Sequence, residues 1–92
     1  MPISVRVLGD LRRFISAETT EMEGDGWSVG RAVDELIRRN PALRDAMFDS
    51  RGRMQHAIVL RTAGRPATWP ADKETLIEDG GQLLLTRFHS GG

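Results

Sequence analysis

The chain has 92 residues, 39% of them hydrophobic, with 13 basic and 13 acidic side chains, a formal net charge of zero and no cysteine. That length supports a single domain with a modest core, and the charge balance gives no electrostatic case for nucleic-acid binding. Disulfides, thiolate metal sites and a cysteine nucleophile are excluded outright, and no apolar run approaches the roughly 18 residues of a membrane span.

Ile3, Val5 and Val7 alternate with Ser4 and Arg6, the period-two pattern of a half-buried strand. Because Met1-Pro2-Ile3-Ser4 leads directly into that strand, no signal peptide and a cytoplasmic setting are expected. Gly9-Asp10 breaks the strand. Leu11 to Ala17 reads as an irregular connection in which Leu11, Phe14 and Ile15 cover a core edge. Glu18 to Glu23 reads as an edge strand, paired antiparallel with the first, and Gly24-Asp25-Gly26 as a turn.

Ser28 is placed to cap a helix, its hydroxyl accepting from an unpaired N–H of the first turn. Val29, Ala32, Val33, Leu36 and Ile37 follow at i, i+3, i+4, i+7 and i+8, the clearest helical pattern in the chain. On the opposite face Asp34–Arg38 and Glu35–Arg39 are expected as i,i+4 ion pairs. Asn40-Pro41 ends this helix and starts a shorter one, Asn40 as its cap, with Leu43 and Met47 facing inward.

Asp49 to Arg53 reads as a loop and Ala57 to Leu60 as a short, well-buried strand. Thr62 to Pro66 is turn material, followed by a brief edge strand over Ala67-Thr68-Trp69. Trp27 and Trp69 read as aromatics capping the core. Asp72 is expected to cap one helical turn through Leu76-Ile77, which Gly80-Gly81 ends. Gln82 to Thr86 is the last strand, and its three consecutive leucines predict burial on both faces and a central place.

This order predicts an α+β fold, a small mixed sheet with one main helix on one face. With the first and last strands adjacent, the arrangement is a β-grasp. A ferredoxin-like fold needs a second full helix, which the segment from Asp72 to Asp79 is too short to supply. The expected division is a domain over 1–86 and a tail over 87–92 ending in Gly91-Gly92.

No catalytic residues are expected on this chain. His89 and Ser90 are neighbours on an extended segment, with no acid placed to orient the imidazole. Two histidines are too few for a zinc site, and the acids show no calcium-loop spacing. Among amines only Lys73 and the N-terminus could accept an acyl group, since the other cationic side chains are arginines. What remains is the α-carboxylate of Gly92. Two glycines without Cβ atoms make a thin probe, and six residues from Arg87, extended at roughly 3.3 Å each, reach about 20 Å.

The strand-strand-helix opening, the helix start Ser28-Val29-Gly30-Arg31-Ala32-Val33, the Glu78-Asp79-Gly80 turn before the last strand and the terminal Gly91-Gly92 together resemble the ubiquitin-like sulfur carriers. These include the small subunit of molybdopterin synthase, the carrier of thiamine synthesis and the carrier of a cysteine-synthesis route. The resemblance covers the whole chain, and its specific element is the diglycine. It implies a ubiquitin-like fold. It further implies adenylation of Gly92 by a ubiquitin-activating-like adenylyltransferase that uses ATP and magnesium, with no cofactor held tightly by the carrier. Conversion to a thiocarboxylate by a sulfurtransferase, and delivery of the sulfur to a synthase, would follow. Gly91 and Ser90 would insert with the tail, while Phe88, with Arg87 beside it, falls in a region that docks on partners in the family. The tail Arg87-Phe88-His89-Ser90 is more polar than many in the family, and Gly81 stands where an acid is usual, so the partner is left open. Two other readings stay open: a modifier conjugated to proteins through Gly92, and a β-grasp binding module whose glycines are inert.

Overall fold

In the computed structural model, which describes residues 2–88, the elements are β1 (Ile3–Val7), a 3-10 helix (Gly9–Phe14), β2 (Thr19–Met22), α1 (Val29–Arg39), α2 (Leu43–Met47), β3 (Ile58–Thr62), β4 (Arg65–Ala67) and β5 (Gln82–Arg87). The five strands form one sheet in the order β2-β1-β5-β3-β4. β1 and β5 run parallel, with Val5 opposite Leu83, and the other neighbours are antiparallel. The expected mixed sheet, its hairpin and its central last strand are therefore present.

Register decides which side chains meet α1. Ile3, Val5 and Val7 of β1, Met22 of β2, Leu60 of β3, and Leu83 and Leu85 of β5 are buried. They share one cluster with Val29, Ala32, Val33, Leu36 and Ile37 of α1, and with Leu43 and Met47 of α2. Ser28 caps α1 as expected: its hydroxyl accepts from the Arg31 N–H at 3.1 Å. The preceding N–H groups are satisfied by a neighbouring segment, Val29 donating to the Thr75 carbonyl and Gly30 to the Lys73 carbonyl, both at 2.9 Å. The approach is so close that a Cβ on Gly30 would stand 3.1 Å from the Lys73 oxygen, which explains a glycine inside a helix.

Several local expectations are corrected. The connection after β1 is an ordered 3-10 helix that buries Leu11, not an irregular run. Asn40 does not cap α2. Its Nδ2 donates to the Leu36 carbonyl and its Oδ1 accepts from the Ser16 N–H, so it closes α1 and ties down the end of the 3-10 connection. Arg38 pairs with Glu35 in place of Asp34, because the longer Glu side chain meets both Nε and Nη2, at 3.0 and 2.6 Å; Arg39 joins it at 2.8 Å. Arg39 also donates through Nη1 to the Glu21 main-chain oxygen at 3.3 Å.

The segment from Ala57 to Leu60 is less buried than expected, since only Leu60 is fully covered. The final edge strand begins two residues early, at Arg65. Ala63 and Gly64 adopt φ of 53° and 73° and close the two-residue β3–β4 hairpin, which puts Pro66 within β4. Asp72 caps no helical turn: its carboxylate accepts from the Thr68 N–H at 2.7 Å, Leu76 is 67% exposed and Ile77 is buried. Leu84, between two buried leucines, lies on the face of β5 away from α1 and is half-buried. The leucine triplet therefore reflects a central strand covered on one side only. Trp27 is buried, and Trp69 packs against the core and meets Phe48 in a T-shaped, edge-to-face contact, ring centres 5.7 Å apart.

Candidate functional site

The site is assembled at the C-terminal end of β5. β1 holds this end on one side, where the Leu8 N–H donates to the Leu85 carbonyl at 2.9 Å and Thr86 Oγ1 donates to the Leu8 carbonyl at 3.2 Å. β3 holds it on the other, with Ile58 opposite Arg87 and the Phe88 N–H donating to the Ala57 carbonyl at 2.6 Å. The chain thus leaves the middle of the sheet with main-chain support on both flanks.

Arg87, expected at the start of the tail, is the last residue of β5, and its side chain turns inward. Nη2 donates to Asp10 Oδ2 at 2.9 Å, Nε lies 3.2 and 3.3 Å from the two Asp10 oxygens, and Nη1 donates to the Ala46 carbonyl at 3.0 Å. The side chains of Arg87 and Asp10 are only 19% and 27% exposed. The Phe14 ring lies 6.0 Å from the guanidinium carbon. Such a forked, charge-assisted contact is among the stronger polar interactions a protein makes.

Phe88 is the opposite case. Its backbone is tied to β3, and its side chain is 63% exposed, which is unusual for a phenylalanine and leaves the ring accessible to a partner. Ser90, Gly91 and Gly92 lie outside the described residues. Asp10 and the Ala46 carbonyl are the members of this end that sequence reasoning missed. Asp10 stands 77 residues from Arg87. The only pointer to it was the expected pairing of β1 with β5, which brings the residues after the one beside the end of the other.

Elsewhere an open groove of about 650 Å³ is lined by Arg61, Arg65, Leu76, Glu78 and Leu84, among others. It contains Gly81 and Gln82 at the opposite end of β5, and neither Arg87 nor Phe88 lines it. Lys73, the one lysine in the sequence, holds its ammonium 5.1 Å from the centre of the Trp69 ring. Among the described residues, no group of three or more His, Cys, Asp or Glu is placed to hold a metal, and no helix is long and apolar enough to cross a membrane.

This arrangement of strands, with a central β5 delivering the chain from the sheet, recurs in solved structures. The chain is similar to the crystal structure of SAMP1 from Haloferax volcanii, with 26% identity over 100% of both chains and a TM-score of 0.83. The protein has the ubiquitin-like β-grasp fold. Urm1 from Trypanosoma brucei matches this β-grasp chain at a TM-score of 0.75 and 16% identity, over 99% of this chain and 95% of the other. CysO from Mycobacterium tuberculosis matches at 0.73 and 16%, over 95% and 99%. No protein-family model matches the sequence, and no curated protein sequence matches it. The resemblance to ubiquitin-like carriers seen in the sequence holds in three dimensions.

Proposed function

We propose that this β-grasp protein is a sulfur carrier whose reacting group is the α-carboxylate of Gly92. The observation that carries the reading is the delivery of the chain toward Gly91-Gly92 from a central, doubly supported strand, in a fold shared along its whole length with SAMP1.

The chemistry follows from what a carboxylate lacks, which is a leaving group. A partner adenylyltransferase, using ATP and magnesium as its own substrates, joins a carboxylate oxygen of Gly92 to the α-phosphorus and releases pyrophosphate. A sulfur nucleophile from a sulfurtransferase then attacks the carbonyl carbon, and AMP departs with the former carboxylate oxygen. Where the donor is a cysteine persulfide, its terminal sulfur stays on the carbonyl carbon while a second thiol attacks the inner, cysteine sulfur, forming a disulfide and releasing the thiocarboxylate. That terminus transfers its sulfur to an acceptor in a synthase, and water supplies the oxygen that restores the carboxylate. The carrier's own contribution is shape: a rigid body, an exposed Phe88 for docking, and glycines without Cβ atoms at the reacting end. The cytosol is the compartment this reading supposes.

Intact-mass measurement of the C-terminus, on protein isolated from its own cells under sulfur demand, tests the proposal. A mass gain equal to exchange of one oxygen for one sulfur, lost when Gly91 and Gly92 are deleted, is expected. A terminus that stays a carboxylate throughout would sink it. A second reading is favoured by the name of one similar structure, small archaeal modifier protein 1: a lysine amine of another protein attacks the same adenylate and AMP leaves. Its signature is a Gly92 isopeptide on target lysines. Self-linked branched chains are disfavoured, because Lys73 is the single internal lysine acceptor.

A further inference from the structure

Three segments distant in sequence meet at the Arg87 guanidinium: the end of β5, the 3-10 helix through Asp10, and α2 through the Ala46 carbonyl. The next residue, Phe88, is bonded through its backbone to Ala57 beside β3. The exit of the chain is therefore pinned by a side chain on the β1 side and by main chain on the β3 side. A strand end without such ties frays.

We infer that Arg87 is a positioning residue, which sets the point and direction at which the chain leaves the sheet toward a partner's active site. The inference rests on the proposed delivery of Gly92. Five residues, Phe88 to Gly92, lie beyond the anchor, and at roughly 3.3 Å each they span about 17 Å. Fraying back to Leu85 would lengthen the free segment by two residues. A longer tether dilutes the end group at its target and loses more entropy when ordered. Arginine is required because its planar fork meets both Asp10 oxygens while a third nitrogen reaches Ala46; an ammonium cannot hold all three contacts.

The test compares wild type with Arg87→Ala, Arg87→Lys and Asp10→Asn. A Val33→Ala control, with its lesion in the α1 core, accounts for general loss of stability. Amide hydrogen exchange is read on each protein alone. C-terminal thiocarboxylation is read by intact mass after expression in the native cells. In Arg87→Ala, exchange at Phe88 should rise about tenfold or more, as expected for loss of a charged hydrogen-bond set, while exchange at Leu83 keeps pace with the control. Conversion of the terminus should fall about tenfold, a loss typical of misplaced reacting groups. Arg87→Lys should fall between, and Asp10→Asn, which preserves shape, should follow Arg87→Ala in direction.

Unchanged Phe88 exchange in both Arg87→Ala and Asp10→Asn would overturn the inference. Faster exchange with wild-type conversion would overturn it as well, since the anchor would then not serve delivery. Should the wild-type terminus never convert, the proposed function falls, and the Phe88 exchange decides by itself whether Arg87 sets the exit.

Discussion

Two arginine–carboxylate clusters in this protein use the same chemistry and serve different ends. At Glu35, two arginines three and four residues along α1 close on one acid, with Arg38 70% exposed. At Asp10, one arginine reaches across 77 residues into a site where both side chains are mostly covered. The first pairs charges only along one helix, with a single further bond from Arg39 to the Glu21 carbonyl of β2, and its arginines lie toward solvent, where salt and side-chain entropy erode the gain. The second joins three elements and cannot form until the sheet has formed. Local pairs decorate a structure; long-range pairs hold its parts in register.

Substitutions can break or sharpen this contrast. Arg87→Ala should have the largest effect, about 1.5–3 kcal/mol of unfolding free energy, because charged hydrogen bonds are lost and Asp10 is left half-covered. A loss under about 0.5 kcal/mol in chemical denaturation, the size of a surface pair, would erase the distinction. Asp10→Asn keeps the shape and one acceptor, and should cost about 1 kcal/mol by the same measurement. Asn40→Ala lies between the two classes, since its amide both closes α1 and reaches Ser16, and should cost about 0.5–1.5 kcal/mol. If it matched Arg87→Ala, linkage across the chain would matter more than charge.

Glu35→Gln should have the smallest effect at neutral pH and reveal itself in acid. Hydrogen bonds from Arg38 and Arg39 lower the Glu35 carboxyl from 4.5 to about 2. Between those values the unfolded chain binds more protons than the folded one, so stability rises with pH. The contribution is complete above about 4.5 and fades as pH falls toward 2. Asp49, lowered by the Arg53 backbone N–H above all, acts with the same sign. Glu35→Gln should therefore flatten the acid limb of a low-salt denaturation series without abolishing it. An unchanged limb would show that the surface cluster contributes nothing.

The same division between local and distant explains what could be read from the sequence. The α1 stripe, the Ser28 cap, the Ile3–Val7 alternation and the place of β5 follow from spacing, and each is found where expected. Spacing misled where side-chain length or backbone conformation decided. Arg38 chose Glu35 over Asp34, Asn40 bonded backward rather than forward, and the positive φ of Ala63 shifted β4 by two residues. At the candidate site, the exposure of Phe88 suits the docking role expected of it. The inward turn of Arg87 was invisible, because its partner Asp10 looked like nothing more than the end of a strand.

The rims of the sheet carry one last consequence. On β2, the outward Glu21 carbonyl is already taken by Arg39. On β4, three residues long, the position opposite Arg61 is Pro66, which has no N–H to donate. A second copy seeking to continue the ladder meets an occupied acceptor on one rim and a missing donor on the other, which weakens the template for cross-molecule strand pairing. Both rims are thereby poor sites for strand pairing between copies of the chain.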